Sequence, residues 1–158
     1  MQNTSTPSRP IATYRERLSP SLWLLGGAAV VAPMAALVFV QIDRALSLAI
    51  GVVVAVAVIA VLVGSAPVVE VRGTTLRAGR AHIDASYLGE PIPLTGEQAR
   101  TARGRDLDPH GWYLIRGGID GLVVVPNTDG DDPVTSWTIS TRTPDRLAAA
   151  IAHARRAS

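Results

Sequence analysis

The chain has 158 residues and a formal net charge of +2, and all 15 of its basic residues are arginine. Without cysteine it forms no disulfide, thiolate nucleophile or cysteine zinc site, and without lysine it has no P-loop or Schiff-base lysine. Charge is unevenly placed: residues 1–21 hold three arginines against Glu16, but residues 67–158 hold 11 arginines against 11 acids. The sequence pI of about 9.7 therefore does not describe a basic domain, and no nucleic-acid footprint is expected.

Residues 1–21 read as a cytoplasmic tail, disordered over the polar, Pro7- and Pro10-containing start and juxtamembrane beyond it. Tyr14-Arg15-Glu16-Arg17-Leu18 leads into the first apolar run. Arg15 and Arg17 are expected at anionic headgroups and Trp23 at the membrane boundary; docking of this segment onto the folded domain is the alternative.

Residues 22–66 read as a transmembrane helical hairpin, with spans at about 22–40 and 45–65 joined by Gln41-Ile42-Asp43-Arg44. A hydrocarbon core about 30 Å thick takes roughly 20 helical residues. Neither run shows the alternation of a barrel strand, so helices alone satisfy the backbone in lipid. Pro33 is expected as a tolerated kink in the first helix. Ala28, Ala32 and Ala36 form one small-residue ridge; Gly51 with Ala55, and Ala60 with Gly64, form ridges on the second helix. Neither span holds an ionisable side chain, which favours an anchor over a conduit. A cleaved signal peptide is disfavoured by the length of the first run and the immediate second one. Arginines before and after the hairpin, against Arg44 alone in its loop, place both termini in the cytoplasm of a plasma-membrane protein.

Residues 67–158 read as a cytoplasmic α+β domain, an antiparallel sheet or partial barrel closed by a C-terminal helix. Val68–Arg72 and Thr75–Ala78 alternate about Gly73-Thr74 and predict a β-hairpin with Val69, Val71, Leu76 and Ala78 inward. Residues 80–87 predict one strand. Its outward row of Arg80, His82, Asp84 and Ser86 lists triad-like residue types, but groups side by side along a strand do not converge as a triad must. Thr95 and Gln98 have capping-box spacing for a short helix. Asp106, Asp108 and His110 sit in a loop without a second ligand cluster, so no metal is expected. Trp112–Arg116 and Leu122–Pro126 predict a strand and its return. Asn127, Asp129 and Asp131 imitate the start of an EF-hand loop, but Asp132 and Thr138 stand where glycine and glutamate belong, and a polar turn is the better reading. Residues 135–141 predict the last strand. Thr143, Pro144 and Asp145 then open a helix over residues 144–156 with Leu147, Ile151 and Ala154 as its apolar stripe.

The Asp131-Asp132-Pro133 turn, the Trp137 to Arg142 run Trp-Thr-Ile-Ser-Thr-Arg, Pro144 and Leu147-Ala148-Ala149-Ala150 resemble an uncharacterised actinobacterial membrane-protein family, a domain of unknown function. Tyr14 to Arg17 and the Gly73 to Arg77 turn extend the resemblance over roughly residues 14–152; Thr135-Ser136 stands where Pro-Tyr is expected. It implies two membrane helices and a small β-rich domain but no activity. About seven short strands closed by a helix are also compatible with a pleckstrin-homology-like fold, which by itself assigns no function.

The expected function is a membrane-anchored interaction or scaffold module, not an enzyme, whose domain binds a protein or a lipid headgroup. The alternatives are an accessory subunit of a larger membrane complex and, third, a membrane-bound enzyme using Asp131, Asp132, Arg142 or His110. No catalytic residue, cofactor, metal or small-molecule substrate is expected; the partners are the bilayer and another membrane protein or a second copy. Candidate contacts are Arg142, Asp131, Asp132 and Trp137, with Arg142 expected to pair with Asp131 or Asp132.

Overall fold

The computed structural model describes residues 12–39 and 43–158; the expected disorder of residues 1–10, and Val40, Gln41 and Ile42 at the hairpin tip, lie outside the described residues. Two compact units form. One joins Arg17–Pro67 with Arg116–Ile119; the other takes residues 12–16, Val68–Ile115 and Asp120–Ser158.

The first unit is built on two helices, α1 (Leu22–Phe39) and α2 (Arg44–Gly64). Ser21 Oγ accepts the Leu24 N–H at 3.3 Å near the start of α1, which continues through Pro33. Asp43 caps α2 by accepting the Leu46 N–H at 2.9 Å. The helices pack on each other. On α2, Ser47 and Gly51 are buried and Val54, Ala55, Val58 and Leu62 half-buried, a stripe at helical spacing. Ser47 Oγ crosses to donate to the Ala36 carbonyl at 2.5 Å. The Gly51 and Ala55 ridge lies on this face. Ala60 and Gly64 are exposed, because Ala60 follows Gly51 by about two and a half turns and so points the opposite way. The Ala28 and Ala32 side chains are outside the described set.

Two arginines close the C-terminal end of α2. Arg17 Nη2 donates to the Val63 carbonyl at 2.8 Å and Arg116 Nη2 to the Ser65 carbonyl at 3.3 Å, cations at the negative end of a helix dipole. Arg17, expected at headgroups, is thus tied to the protein. Among the described helices α2 alone is long and apolar enough to cross a membrane, with a mean hydropathy of 3.1; the apolar stretch of α1, Trp23–Val38, is shorter.

In the second unit, β1 (Ala12–Arg17), β2 (Val68–Arg72), β3 (Thr75–Ala78) and β4 (Ala81–Asp84) make a sheet in that order. The Tyr14–Leu18 lead-in is therefore largely an edge strand. Its alternation of buried Tyr14, exposed Arg15, half-buried Glu16 and exposed Arg17 is the period-two signature of a half-buried strand. β2 and β3 pair antiparallel with Val71 opposite Leu76, as the sequence predicts, and Leu76 faces Ile83 on β4. Gly73 (φ 58°) and Gly79 (φ 65°) open the two hairpin loops at positive φ, which two-residue hairpin turns demand. The strand expected over residues 80–87 ends at Asp84. Asp84 caps a 3-10 turn at Ala85–Tyr87, and Tyr87 is exposed.

The second sheet runs β5 (Ile92–Leu94), β7 (Leu122–Pro126), β8 (Ser136–Ser140), β6 (Trp112–Leu114), with helix α3 (Gly96–Ala102) between β5 and β6 in sequence. Thr95 is the N-cap of α3, but its side chain makes no capping bond. β7 is not the return of β6. It pairs antiparallel with β5 and β8, and β6 runs parallel to β8, Trp112 opposite Trp137. The sheet is mixed, a correction to the antiparallel expectation. β8 is buried along its whole length. Helix α4 (Pro144–Ala157) packs on β2, β5 and β7, so its buried Leu147, Ile151 and Ala154 help close a core shared by both sheets with Val69, Val71, Leu76, Leu122, Val123 and Val125.

Candidate functional site

The structure does not bring the four candidate contacts together. Asp131 and Asp132 lie in one turn, which Asp131 joins through its backbone N–H and Asp132 through its carboxylate. Asp129 Oδ1 accepts the Asp131 N–H at 3.1 Å; Asp132 Oδ1 accepts the Val134 N–H at 2.9 Å and its Oδ2 the Asn127 amide at 3.0 Å. The bonds to the Asp131 and Val134 N–H groups are local side-chain-to-backbone bonds of the kind that stabilise turns, and the Asn127 amide adds a side-chain contact. Trp137 is buried, its ring 4.5 Å from that of Trp112 at 36°, and it packs the parallel β6–β8 pair.

Arg142 pairs with Glu16, not with the acidic turn. Its Nη1 is 3.5 Å from Glu16 Oε1, which also accepts the Arg142 backbone N–H at 3.1 Å. On the other carboxylate oxygen, Oε2, converge the hydroxyls of Tyr14 and Thr141, each at 2.6 Å. The proton count closes. With Glu16 ionised, both hydroxyls donate to it, Thr143 Oγ1 at 3.0 Å donates to the Tyr14 oxygen, and the Thr143 N–H at 3.0 Å reaches Thr141 Oγ1. Thr143 is consequently diverted from capping α4, and its side chain makes no cap bond. The cluster clasps β1 to the junction of β8 and α4.

Electrostatics follow from that donor set. Burial would raise the Glu16 carboxyl, but the Thr141 and Tyr14 hydroxyls and the Arg142 N–H and guanidinium outweigh it and hold Glu16 below its ordinary value. The Tyr14 phenol moves up, first through burial and then through its bond to the Glu16 carboxylate. Every side-chain oxygen of the cluster is engaged within the protein.

The loop before β6 is organised in the same way. Asp108 Oδ2 accepts the Thr135 hydroxyl and, at 2.6 Å, the Ser136 hydroxyl, while Oδ1 accepts the His110 N–H at 3.0 Å. The Ser136 and Thr135 donors and then the His110 N–H hold Asp108 below the usual carboxylate value. Of Asp84 and Ser86 in the triad-like row, Ser86 Oγ donates to Asp84 at 2.8 Å as part of the 3-10 cap. The Ser86 backbone N–H, its hydroxyl and the Thr74 hydroxyl lower the Asp84 carboxyl. Among the described residues no three metal-ligating side chains gather.

One face does gather charge. The inward set Val69, Val71, Leu76, Ala78 and Ile83 leaves Glu70, Arg72, Thr75, Arg77 and His82 on the outer side of β2–β3–β4. With Arg80 from the Gly79 turn they line a groove of about 610 Å³. Glu70, Arg77 and His82 are cross-strand neighbours in one row. Arg72 is held by Glu70, with Nε at 3.1 Å and Nη2 at 2.5 Å from the same oxygen, and Arg77 Nε donates to the Gly79 carbonyl at 3.2 Å.

Sequence reasoning missed both groupings, although each had a signal. The Tyr14, Glu16, Leu18 alternation marks a strand with its acid facing in. The odd-even placing of Arg72, Arg77 and Arg80 about Gly73 and Gly79 puts them on one side once the two turns form. No curated protein and no solved structure matches the chain. The model of a family described as a protein of unknown function, DUF3093, matches residues 13–151, and the chain belongs to that family.

Proposed function

We propose that the chain is a membrane-anchored interaction module, with α1 and α2 as a two-span anchor and the second unit as a cytoplasmic domain that binds a partner. The observation that carries this reading is the apolar surface of the helices. Val52, Val53, Val56 and Val61 on α2, and Val30, Met34, Leu37 and Val38 on α1, are exposed, whereas the second unit leaves only Tyr87, Ile92 and Tyr113 exposed among its described large apolar side chains. A helix apolar on all sides needs a hydrocarbon solvent or a partner. The absence of Asp, Glu, Lys, Arg and His from residues 22–40 and 45–65 favours an anchor over a transport path. Arg142 bonds Glu16 and the Asp132 carboxylate bonds its own turn, which speaks against a catalytic use of these two residues. The parallel β6–β8 pair departs from the antiparallel barrel expected of a pleckstrin-homology-like fold.

The test is extraction and labelling. Full-length protein in cell membranes should resist alkaline carbonate and dissolve in detergent; release by carbonate refutes the anchor. Because the chain has no cysteine, single cysteines report topology cleanly. A cysteine at Asp43 should react with an impermeant maleimide on intact cells, and one at Thr128 only after lysis. The opposite pattern refutes the cytoplasmic placement. Crosslinking of the same membranes should yield a recurrent partner; repeated capture of none, together with no lipid binding, removes the module reading.

A further inference from the structure

We propose that the outer face of β2–β3–β4 binds the phosphate group of a phosphate ester. Residues 67–158 are neutral as a whole, yet Arg72, Arg77 and Arg80 line one groove with a single carboxylate, Glu70, among its lining residues. The fold does not need them there. Arg77, Arg80 and His82 are exposed, and the packing face of these strands is the opposite one. The Arg77 guanidinium is oriented by its Nε bond to Gly79, which leaves both terminal nitrogens for a ligand. Arg72 is held beside it by the nearly buried Glu70, whose side chain is 13% exposed. Strand neighbours stand about 4.8 Å apart, so Arg77 and His82, paired across β3 and β4, and the adjoining Arg72 and Thr75 present donors within the span of one tetrahedral oxyanion and its substituent. Planar guanidinium forks suit phosphate oxygens, and the Thr75 hydroxyl and His82 ring add donors. Asp84 lies in the next row on the same side, but its oxygens are occupied by Ser86 and Thr74.

The inference deepens the interaction-module reading by naming the chemistry of the ligand, and rests on it for the source of the phosphate alone. Phospholipid headgroups and soluble phosphate esters share that chemistry. The experiment therefore has two arms on the full-length chain in non-ionic detergent: calorimetric titration with inorganic phosphate and with glycerol phosphate, and native mass spectrometry in micelles doped with phosphatidylglycerol or with phosphatidylcholine. Saturable binding in the first arm assigns a soluble ester, and preferential retention of phosphatidylglycerol in the second assigns a headgroup. In either arm the Arg77→Ala, Arg80→Ala pair should weaken binding about tenfold or more. Glu70→Gln removes the opposing charge and releases Arg72, so it should tighten binding about two- to fivefold, a gain that a damaged fold cannot mimic. Arg100→Ala with Arg105→Ala, on exposed arginines elsewhere, should leave affinity unchanged. No binding in either arm, full binding by the Arg77, Arg80 variant, or an equal loss in the Arg100, Arg105 variant overturns the site. Detergent binding does not depend on anchorage, so failure of the site and release of the protein by carbonate are separate results.

Discussion

Glu16→Ala tests whether the clasp holds β1 in place. The carboxylate takes hydroxyl protons from Tyr14, which is 8% exposed, and from Thr141, which is fully buried. A hydrogen bond to a charged acceptor contributes about 1.5–3 kcal/mol, so two buried donors left without it cost about 3–6 kcal/mol. The Tyr14 and Thr141 oxygens already lie 2.9 Å apart and can re-pair, returning about 1 kcal/mol. The exposed Arg142 N–H and guanidinium turn to water and add little. The expected loss is about 2–5 kcal/mol. The assay is denaturant unfolding of the full-length protein in mild detergent, followed by near-ultraviolet circular dichroism of the Trp112–Trp137 pair. A double-mutant cycle with Thr141→Ala should show a coupling of about 1 kcal/mol or more. A loss below about 0.5 kcal/mol, or additivity in the cycle, would refute the clasp as an energetic unit.

The remaining expectations concern pH, packing and insertion. Because the folded Glu16 carboxyl sits below its ordinary 4.5, the stability it supplies is complete above that value and lost as pH falls through the folded one. The stability gap between wild type and Glu16→Gln should accordingly narrow below pH 4.5 and stay constant above it. Tyr14 moves the other way, so its contribution is present below pH 10.0 and is lost as pH rises through its higher folded value; absorbance titration should show a late phenol that vanishes in Tyr14→Phe. Gly121→Ala would drive its Cβ onto the Thr141 carbonyl oxygen and within 3.0 Å of Pro144 Cδ, costing about 1–3 kcal/mol in the same unfolding assay, whereas Gly117→Ala meets nothing within 4 Å and should be neutral. Val53→Arg places a charge inside α2, at a cost to insertion of about 2.5–3.5 kcal/mol at the helix centre, and should lower the carbonate-resistant fraction.

What the sequence determined by itself was set by neighbours along the chain. Twenty-odd apolar residues without charge define α2, period-two alternation about a glycine defines the β2–β3 hairpin, and Pro144, Asp145 and an apolar stripe define α4. Each pattern is local, so the covalent order of residues carries it. Which strands pair, and which side chains meet, depends on distant segments competing for the same faces. β6 pairs with β8 and not with β7 because β5 and β8 occupy the two sides of β7. Arg142 meets Glu16, 126 positions away, because β1 joins the first sheet, while the nearer Asp132 carboxylate already has a backbone partner in Val134. Three arginines spaced along a neutral segment become one basic groove because two glycine turns fold their strands onto a single face.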